Sequence, residues 1–334
     1  MSEGFIENLA SYSRVLLTPH LQPDADAIGS VLGLAWHLHG LGKEFKIIAS
    51  PGLPGYLTFL DTEKWIEPYI PSQDVNIADW ADCWVLADAN DINRLGPLKD
   101  AFLSSSAAKA YIDHHLYGNM ALFDFSYSDT KASSTCELVI DALGVSTKMP
   151  LAMAQALYAG IVDDTGRFGF DSTTPKVMRM VAELLEAGVK PDFVTRSLYS
   201  QGTPEKMRLT GRAFDRMTMH CADRLAIMTV SLADLAYYGA VHEDLEGLVN
   251  KPLELRSVEV SALVYERRDN SIKMSMRAKS CVDVNSICRT FGGGGHRLAS
   301  GAEFFRPMDA VLETVLPVII AKIEQDAGTG GIIN

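Results

Sequence analysis

Apolar residues occur in short runs separated by stretches of helical spacing. Arg14-Val15-Leu16-Leu17-Thr18 reads as a buried strand, preceded by a short amphipathic helix over residues 5–12. Helical spacing follows over residues 27–41, with Gly40 and Gly42 as its stop signal. Further apolar runs at 45–49, 83–87 and 108–112 alternate with helical segments at 134–143 and 151–162. Strands alternating with helices predict a parallel, doubly wound sheet.

Residues 174–188 predict another helix, with Pro175 in its first turn and Gly188 at its end. Polar, helix-like sequence continues through 192–216 and predicts a connector. From Arg224 the texture changes to strands at 225–232, 259–266 and 271–277. A helix over 284–290, the run Gly292-Gly293-Gly294-Gly295 and a last helix over 308–325 follow, and the tail 328–334 reads as frayed. The expected fold class is therefore α/β. A doubly wound parallel-sheet domain over residues 1–195 is joined by a helical connector, 196–218, to a smaller α+β domain over 219–327.

A length of 334 residues agrees with two domains at about 150 residues each. Hydrophobic residues at 47% and charged residues at 22% match a folded globular chain, which excludes disorder. Thirty Lys and Arg against 42 Asp and Glu give a net charge of −12, which argues against electrostatic coating of long duplex nucleic acid. It leaves room for a small anionic substrate at a local site. The N-terminus carries acid where a secretory signal carries base, and the apolar stretch 311–323 is broken by Glu313, Pro317 and Lys322. A cytoplasmic protein without membrane partners is expected. The cysteines Cys83, Cys136, Cys221, Cys281 and Cys288 are scattered and odd in number, so they read as reduced and structural.

Acids and histidines gather at the ends of the predicted strands. His20, Asp24 and Asp26 lie in the turn from the first strand to its helix, Asp88 ends the run at 83–87, and Asp113-His114-His115 ends the run at 108–112. Asp163-Asp164-Thr165-Gly166 closes a helix before a new turn. Ligands of open α/β sheets bind outside the carboxyl ends of the strands, so the first three groups could converge on one crevice. Clustered carboxylates repel unless cations neutralise them, which points to a metal site. Mixed His and Asp ligands without thiolate suit Mn²⁺, Mg²⁺ or Zn²⁺, and the number of carboxylates favours Mn²⁺. There are ligands for two ions, and a two-ion centre suits phosphoester hydrolysis. Taken singly, Asp24 and Asp26 could be ordinary helix caps and the His-His pair a surface feature. Their joint placement at strand ends argues otherwise.

With these residues in place, the chain resembles the DHH phosphoesterases, named for the triplet that stands here as Asp113-His114-His115. The resemblance covers the motif from His20 to Ser30, Asp88, Asp164-Thr165-Gly166 with Phe168, and Phe291-Gly292-Gly293-Gly294-Gly295-His296. The first domain is accordingly the DHH domain. The glycine motif is similar to the DHH-associated C-terminal domain of the nanoRNase and pAp phosphatase branch. The resemblance implies metal-dependent hydrolysis of short oligoribonucleotides and of 3′-phosphoadenosine 5′-phosphate (pAp). Rival readings are a cyclic-di-AMP or pApA phosphodiesterase and a non-catalytic nucleotide sensor; a homodimer is left open.

By position, the family pattern implies that His20, Asp24 and Asp88 hold one metal ion while Asp26, Asp88, His114 and Asp164 hold the other, with Asp88 bridging. His115 would lie beside the scissile phosphate, and Asp113 would orient the neighbouring histidines. Two positions depart from the pattern. Ala25 replaces the usual glycine between two acids, where a methyl disfavours positive φ, and Asp163 replaces an uncharged residue, where it could compete for a metal.

The glycine run could turn several N–H groups toward a phosphate, or could simply make a tight helix-to-strand junction. Arg277, Lys279, Arg289 and Arg297 are nearby candidate cations; Arg267, Arg268 and Lys273 read as a solvated hairpin rim. The resemblance places Arg277, Gly293, Gly294, Gly295, His296 and Ser300 in contact with substrate. The two domains are expected to close over a short nucleotide, one supplying metal ions and water and the other gripping a terminal phosphate or base.

Overall fold

The computed structural model of the chain describes residues 2–74, 76–116, 120–144, 148–279 and 282–329. Cys281 and residues 330–334 of the tail lie outside the described residues. The chain divides into two compact units, Met1–Gln201 and Gly202–Asn334.

The first unit contains β1 (Arg14–Pro19), β2 (Glu44–Ala49), β3 (Ile66–Pro68), β4 (Cys83–Ala87), β5 (Ala108–Asp113) and β6 (Phe125–Ser128). They pair in parallel in the order β3-β2-β1-β4-β5-β6. Helices α1 (Ser2–Ser11), α2 (Ala25–Gly40), α3 (Ile77–Trp80), α4 (Lys99–Ser104), α5 (Thr135–Leu143), α6 (Leu151–Asp164), α7 (Pro175–Glu186) and α8 (Pro191–Tyr199) complete it. Alternate strand residues point to opposite faces. Val15, Leu17, Val85, Ala110 and Ile112 enter a core with α1, α2, α5, α6, α7 and α8. Leu16, Trp84, Leu86 and Tyr111 enter a second core with Leu95, Leu98 and Phe102. Burial on both faces explains why the strands read as continuous apolar runs rather than as an alternation. The direction of strand order reverses between β1 and β4, which opens a crevice at their carboxyl ends.

Two glycines allow the helices beneath that crevice to touch. A Cβ on Gly29 of α2 would lie 2.4 Å from the Ala156 carbonyl oxygen of α6, and one on Gly160 of α6 would lie 2.8 Å from an Asp26 carboxylate oxygen. Helix α2 begins at Ala25, two residues before the apolar spacing announces it, because Asp24 caps it by accepting the Ala27 N–H at 3.0 Å. Ala25 is thus helical and takes no positive φ, which removes the steric concern about its methyl.

In place of one continuous connector over 196–218 there are two helices. Val194 and Leu198 of α8 belong to the first unit's core. Helix α9 (Pro204–Asp215), capped by Thr203 and opened by Pro204, places Leu209 and Ala213 in the second unit's core. The second unit also holds β7 (Thr218–His220), β8 (Leu225–Val230), α10 (Leu232–Tyr238), β9 (Val260–Glu266), β10 (Ile272–Ala278), α11 (Val284–Arg289), β11 (Gly294–His296), β12 (Ala299–Phe304) and α12 (Met308–Thr329). Its strands run in the order β11-β12-β10-β9-β8-β7, antiparallel except for β8 with β9. The strand expected over 225–232 stops at Val230. Ser231 and Asp234 there form a capping box that starts α10 instead. The last helix runs through Thr329, past the expected end at 325, so the tail reading is corrected for residues 328 and 329.

Gly29→Val would force a side chain between α2 and α6 and is expected to cost at least about 2 kcal/mol. A fall in the urea midpoint without loss of secondary structure at low denaturant checks this; an unchanged midpoint would refute the close contact.

Candidate active site

The turns that leave β1, β4 and β5 and the end of α6 bring seven of the expected residues together. His20 follows β1 directly, and its Nδ1 lies 2.9 Å from the Leu21 carbonyl oxygen. A carbonyl only accepts, so Nδ1 carries the proton and Nε2 presents its lone pair. That Nε2 is buried without a hydrogen-bond partner and faces Asp24 at 3.6 Å and Asp88 at 3.3 Å. His114 repeats the arrangement. Its Nδ1 is 3.3 Å from the Ala132 carbonyl oxygen, and its partnerless Nε2 faces Asp164 at 3.1 Å, Asp88 at 3.6 Å and Asp26 at 4.0 Å.

Helix N-termini hold the acids. Asp24 uses one carboxylate oxygen to cap α2 and turns the other to His20. Asp26 is fully buried and accepts the Thr135 N–H at 2.6 Å and the Cys136 N–H at 2.8 Å, the first amides of α5. Asp88 accepts the Thr135 hydroxyl at 2.8 Å. Its backbone takes φ 58, and the Arg94 guanidinium donates to its carbonyl at 3.2 Å. A non-glycine residue in the left-handed region persists only where its surroundings hold it.

His115 differs from its neighbour. Its Nδ1 and its backbone N–H both meet Asp113 Oδ1, at 2.7 and 3.1 Å, and its side chain is 43% exposed. Asp113 therefore orients His115 alone, not both histidines; His114 is oriented by the Ala132 carbonyl. Asp163 accepts the Tyr199 hydroxyl at 2.8 Å and belongs to none of the groups whose atoms could share a cation.

The electrostatics are those of an acid cluster waiting for positive charge. Burial, with Asp88 and Asp164 nearby, raises the Asp26 carboxyl well above the usual carboxylate range, and burial raises Asp164 as well. Partial burial raises Asp24 too, yet His20 and the Ala27 N–H outweigh it and hold that carboxyl low. Burial pulls the His20 and His114 imidazolium groups down, but the surrounding aspartates win and push both up to about 10. Three constellations have ligand atoms within 4.8 Å of one another: His20 with Asp24 and Asp88, Asp26 with His114 and Asp164, and Asp88 with His114 and His115. Two buried imidazole lone pairs aimed at carboxylates form a donor set that fits divalent cations. The residues missed in the sequence are Thr135, Arg94 and Asn90, whose side-chain amide donates to the His115 carbonyl at 3.0 Å. Ser134 and Glu137 mark the start of α5 as a capping box would, but no pattern in the sequence ties that helix end to Asp26.

In the second unit, His296 pairs with Ala299 and Arg277 pairs with Ala299 on the other side, so these three share a face of the sheet. A Cβ on Gly293 would lie 2.2 Å from the Gly301 carbonyl oxygen, and one on Gly295 would lie 2.6 Å from that of Ala299. Close backbone packing thus accounts for two of the four glycines, while Gly294 has open space beside it. Ser300 pairs with buried Met276, and its Oγ, 3.5 Å from Asn285 Oδ1, lies on the face opposite Arg277.

The DHH family N-terminal domain profile matches residues 14–161, and the DHHA1 domain profile matches residues 227–325. The chain belongs to the DHH family and is a metal-dependent phosphoric ester hydrolase. It is 32% identical to the bifunctional oligoribonuclease and PAP phosphatase NrnA of Thermus thermophilus, over 91% of this chain and 89% of that protein. It is 28% identical to the protein of that name from Bacillus subtilis, over 91% and 94%. A crystal structure of an exopolyphosphatase-related protein from Bacteroides fragilis superposes with a TM-score of 0.88 at 28% identity, covering 96% of this chain and 95% of that one. Among the described residues no helix is long and apolar enough to cross a membrane.

In the metal-free protein, His20 and His114 keep their protons to about pH 10, against 6.5 for an ordinary histidine. Their pairing stabilises the fold fully below pH 6.5 and is lost as pH rises through about 10. Urea unfolding in chelator is expected to show a stability loss on the order of 2 kcal/mol across that window, reversed by added Mn²⁺. A flat profile would contradict the pairing.

Proposed function

We propose that the chain hydrolyses short oligoribonucleotides and pAp with two divalent cations, Mn²⁺ in preference to Mg²⁺. His20, Asp24 and Asp88 hold one, and Asp26, Asp88, His114 and Asp164 hold the other. The observation that carries this reading is Asp88, whose Oδ2 faces the partnerless Nε2 of His20 while its Oδ1 faces that of His114. One carboxylate spanning two imidazole lone pairs has the arrangement of a bridge. Bound there, divalent cations supply the Lewis acidity that activates water and offsets charge on the phosphoryl group.

The protein's own groups do the rest. Thr135 and the amides of α5 fix the direction of the Asp88 and Asp26 carboxylates. Asp113 holds Nδ1 of His115 and so aims its exposed Nε2 outward, where it can act on the leaving oxygen. Arg277, His296 and the N–H groups of Gly294 and Gly295 bind a terminal phosphate, which favours small substrates over long polymers; the Gly293 N–H, expected to join them, donates instead to the Cys288 carbonyl at 2.9 Å. A cytoplasmic setting goes with the reading, in keeping with the free thiols of Cys83, Cys136, Cys221 and Cys288.

Purified protein incubated with Mn²⁺ and a panel of pAp, pApA, cyclic-di-AMP and RNA of two to twenty nucleotides is expected to cleave pAp and the shortest RNAs fastest. His114→Ala is expected to lose activity by at least about 100-fold. Cyclic-di-AMP cleaved in preference would replace the substrate assignment; no cleavage of any member would favour a nucleotide sensor. Arg277→Ala is expected to raise KM about tenfold for phosphate-ended substrates without changing metal content; unchanged kinetics would remove Arg277 from the phosphate site.

A further inference from the structure

The two departures from the family pattern, Ala25 and Asp163, meet in space. The Asp163 carboxylate accepts the Tyr199 hydroxyl at 2.8 Å, and the Ala25 N–H lies close enough to favour its charged form. Ala25 is the first residue of α2, and its N–H is one of the amides a helix start leaves without an internal partner. The start of α2 is therefore capped by Asp24 from within the turn and approached by the Asp163 carboxylate from the end of α6.

A buried carboxylate in the last turn of a helix is opposed by the helix dipole, so Asp163 needs strong donors to remain there. Tyr199 is one, and it is itself clamped, with the Arg167 guanidinium 4.2 Å above its ring. Arg167 lies in the turn after Asp164, where Gly166, Arg167 and Phe168 take φ 56, 59 and 65. The contacts run without a break from the Asp164 turn through Arg167 and Tyr199 to Asp163, and from there to the amide between Asp24 and Asp26. Asp163 itself belongs to none of the three constellations that could hold a cation.

We propose that Asp163 is a positioning residue which, through Tyr199 and the Ala25 N–H, sets the spacing between the Asp24–Asp26 turn and Asp164 and so tunes the affinity of the centre for divalent cations. The inference rests on the reading of those acids as metal ligands. It assigns Tyr199 a part in metal binding although Tyr199 touches no ligand side chain.

Calorimetric titration of chelator-stripped protein with MnCl₂ tests it without any substrate. Tyr199→Phe keeps the ring under Arg167 but removes the hydroxyl, and is expected to weaken Mn²⁺ binding about tenfold. Asp163→Ala should weaken it at least as much, and the double variant no further, because both act through one contact. Asp163→Asn, which still offers an acceptor oxygen, should recover part of the loss. Circular dichroism and melting of the stripped variants establish that they are folded. Wild-type affinity in folded Tyr199→Phe would overturn the inference, whether or not its melting temperature falls. Binding lost in Asp163→Ala and Asp163→Asn but retained in Tyr199→Phe would overturn it too, making Asp163 a ligand. Absence of Mn²⁺ binding in the wild type would instead overturn the metal-centre reading itself.

Discussion

Carboxylates that share a buried crevice cannot all stay ionised unless positive charge is placed among them, and the first unit is organised around that constraint. Asp26 and Asp88 are almost wholly buried, and Asp164 and Asp24 stand close by. Among the described residues, the side chains directed into the group are the imidazoles of His20 and His114, each with Nδ1 on a backbone carbonyl and Nε2 toward the carboxylates, while Arg94 adds positive charge beside Asp24. Protons on the imidazoles offset part of the repulsion, and the same nitrogen atoms have the placement that the proposed divalent cations would use.

The fold meets the cost of gathering these acids with backbone dipoles. Helix α2 is capped by Asp24, and the first amides of α5 are spent on Asp26, so two helix N-termini converge on the crevice. The close approach of α2 and α6 at Gly29 and Gly160 brings the end of α6, and with it Asp164, within reach of His114. Backbone strain falls in the same region, at Asp88 and over residues 166–168, where it is held by Arg94 and Arg167. Packing that would look merely structural elsewhere thus determines the distances between the acids and histidines of the crevice.

Much of this was legible in the chain. The acids and histidines could be placed at strand ends because β1, β4 and β5 are short apolar runs whose limits the sequence marks, and a parallel sheet puts such ends on one side. Where the reading failed, a local signal was outweighed or absent. The run through Leu232 continues an apolar pattern, yet the Ser231 and Asp234 capping box turns the chain into α10. Thr135 and Arg94 belong to no motif, since their importance comes from what they reach across the fold.

The sequence by itself determined the fold class and the identity of the groups at the crevice, because hydrophobic periodicity and strand ends are local properties of the chain. Only the tertiary structure decided how those groups divide their work. It gave one oxygen of Asp24 to a helix and the other to a histidine, joined Asp113 to His115 and not to His114, and turned Asp163 toward Tyr199 and Ala25. Such choices depend on hydrogen-bond directions and distances between residues far apart in the chain, which no spacing along it encodes.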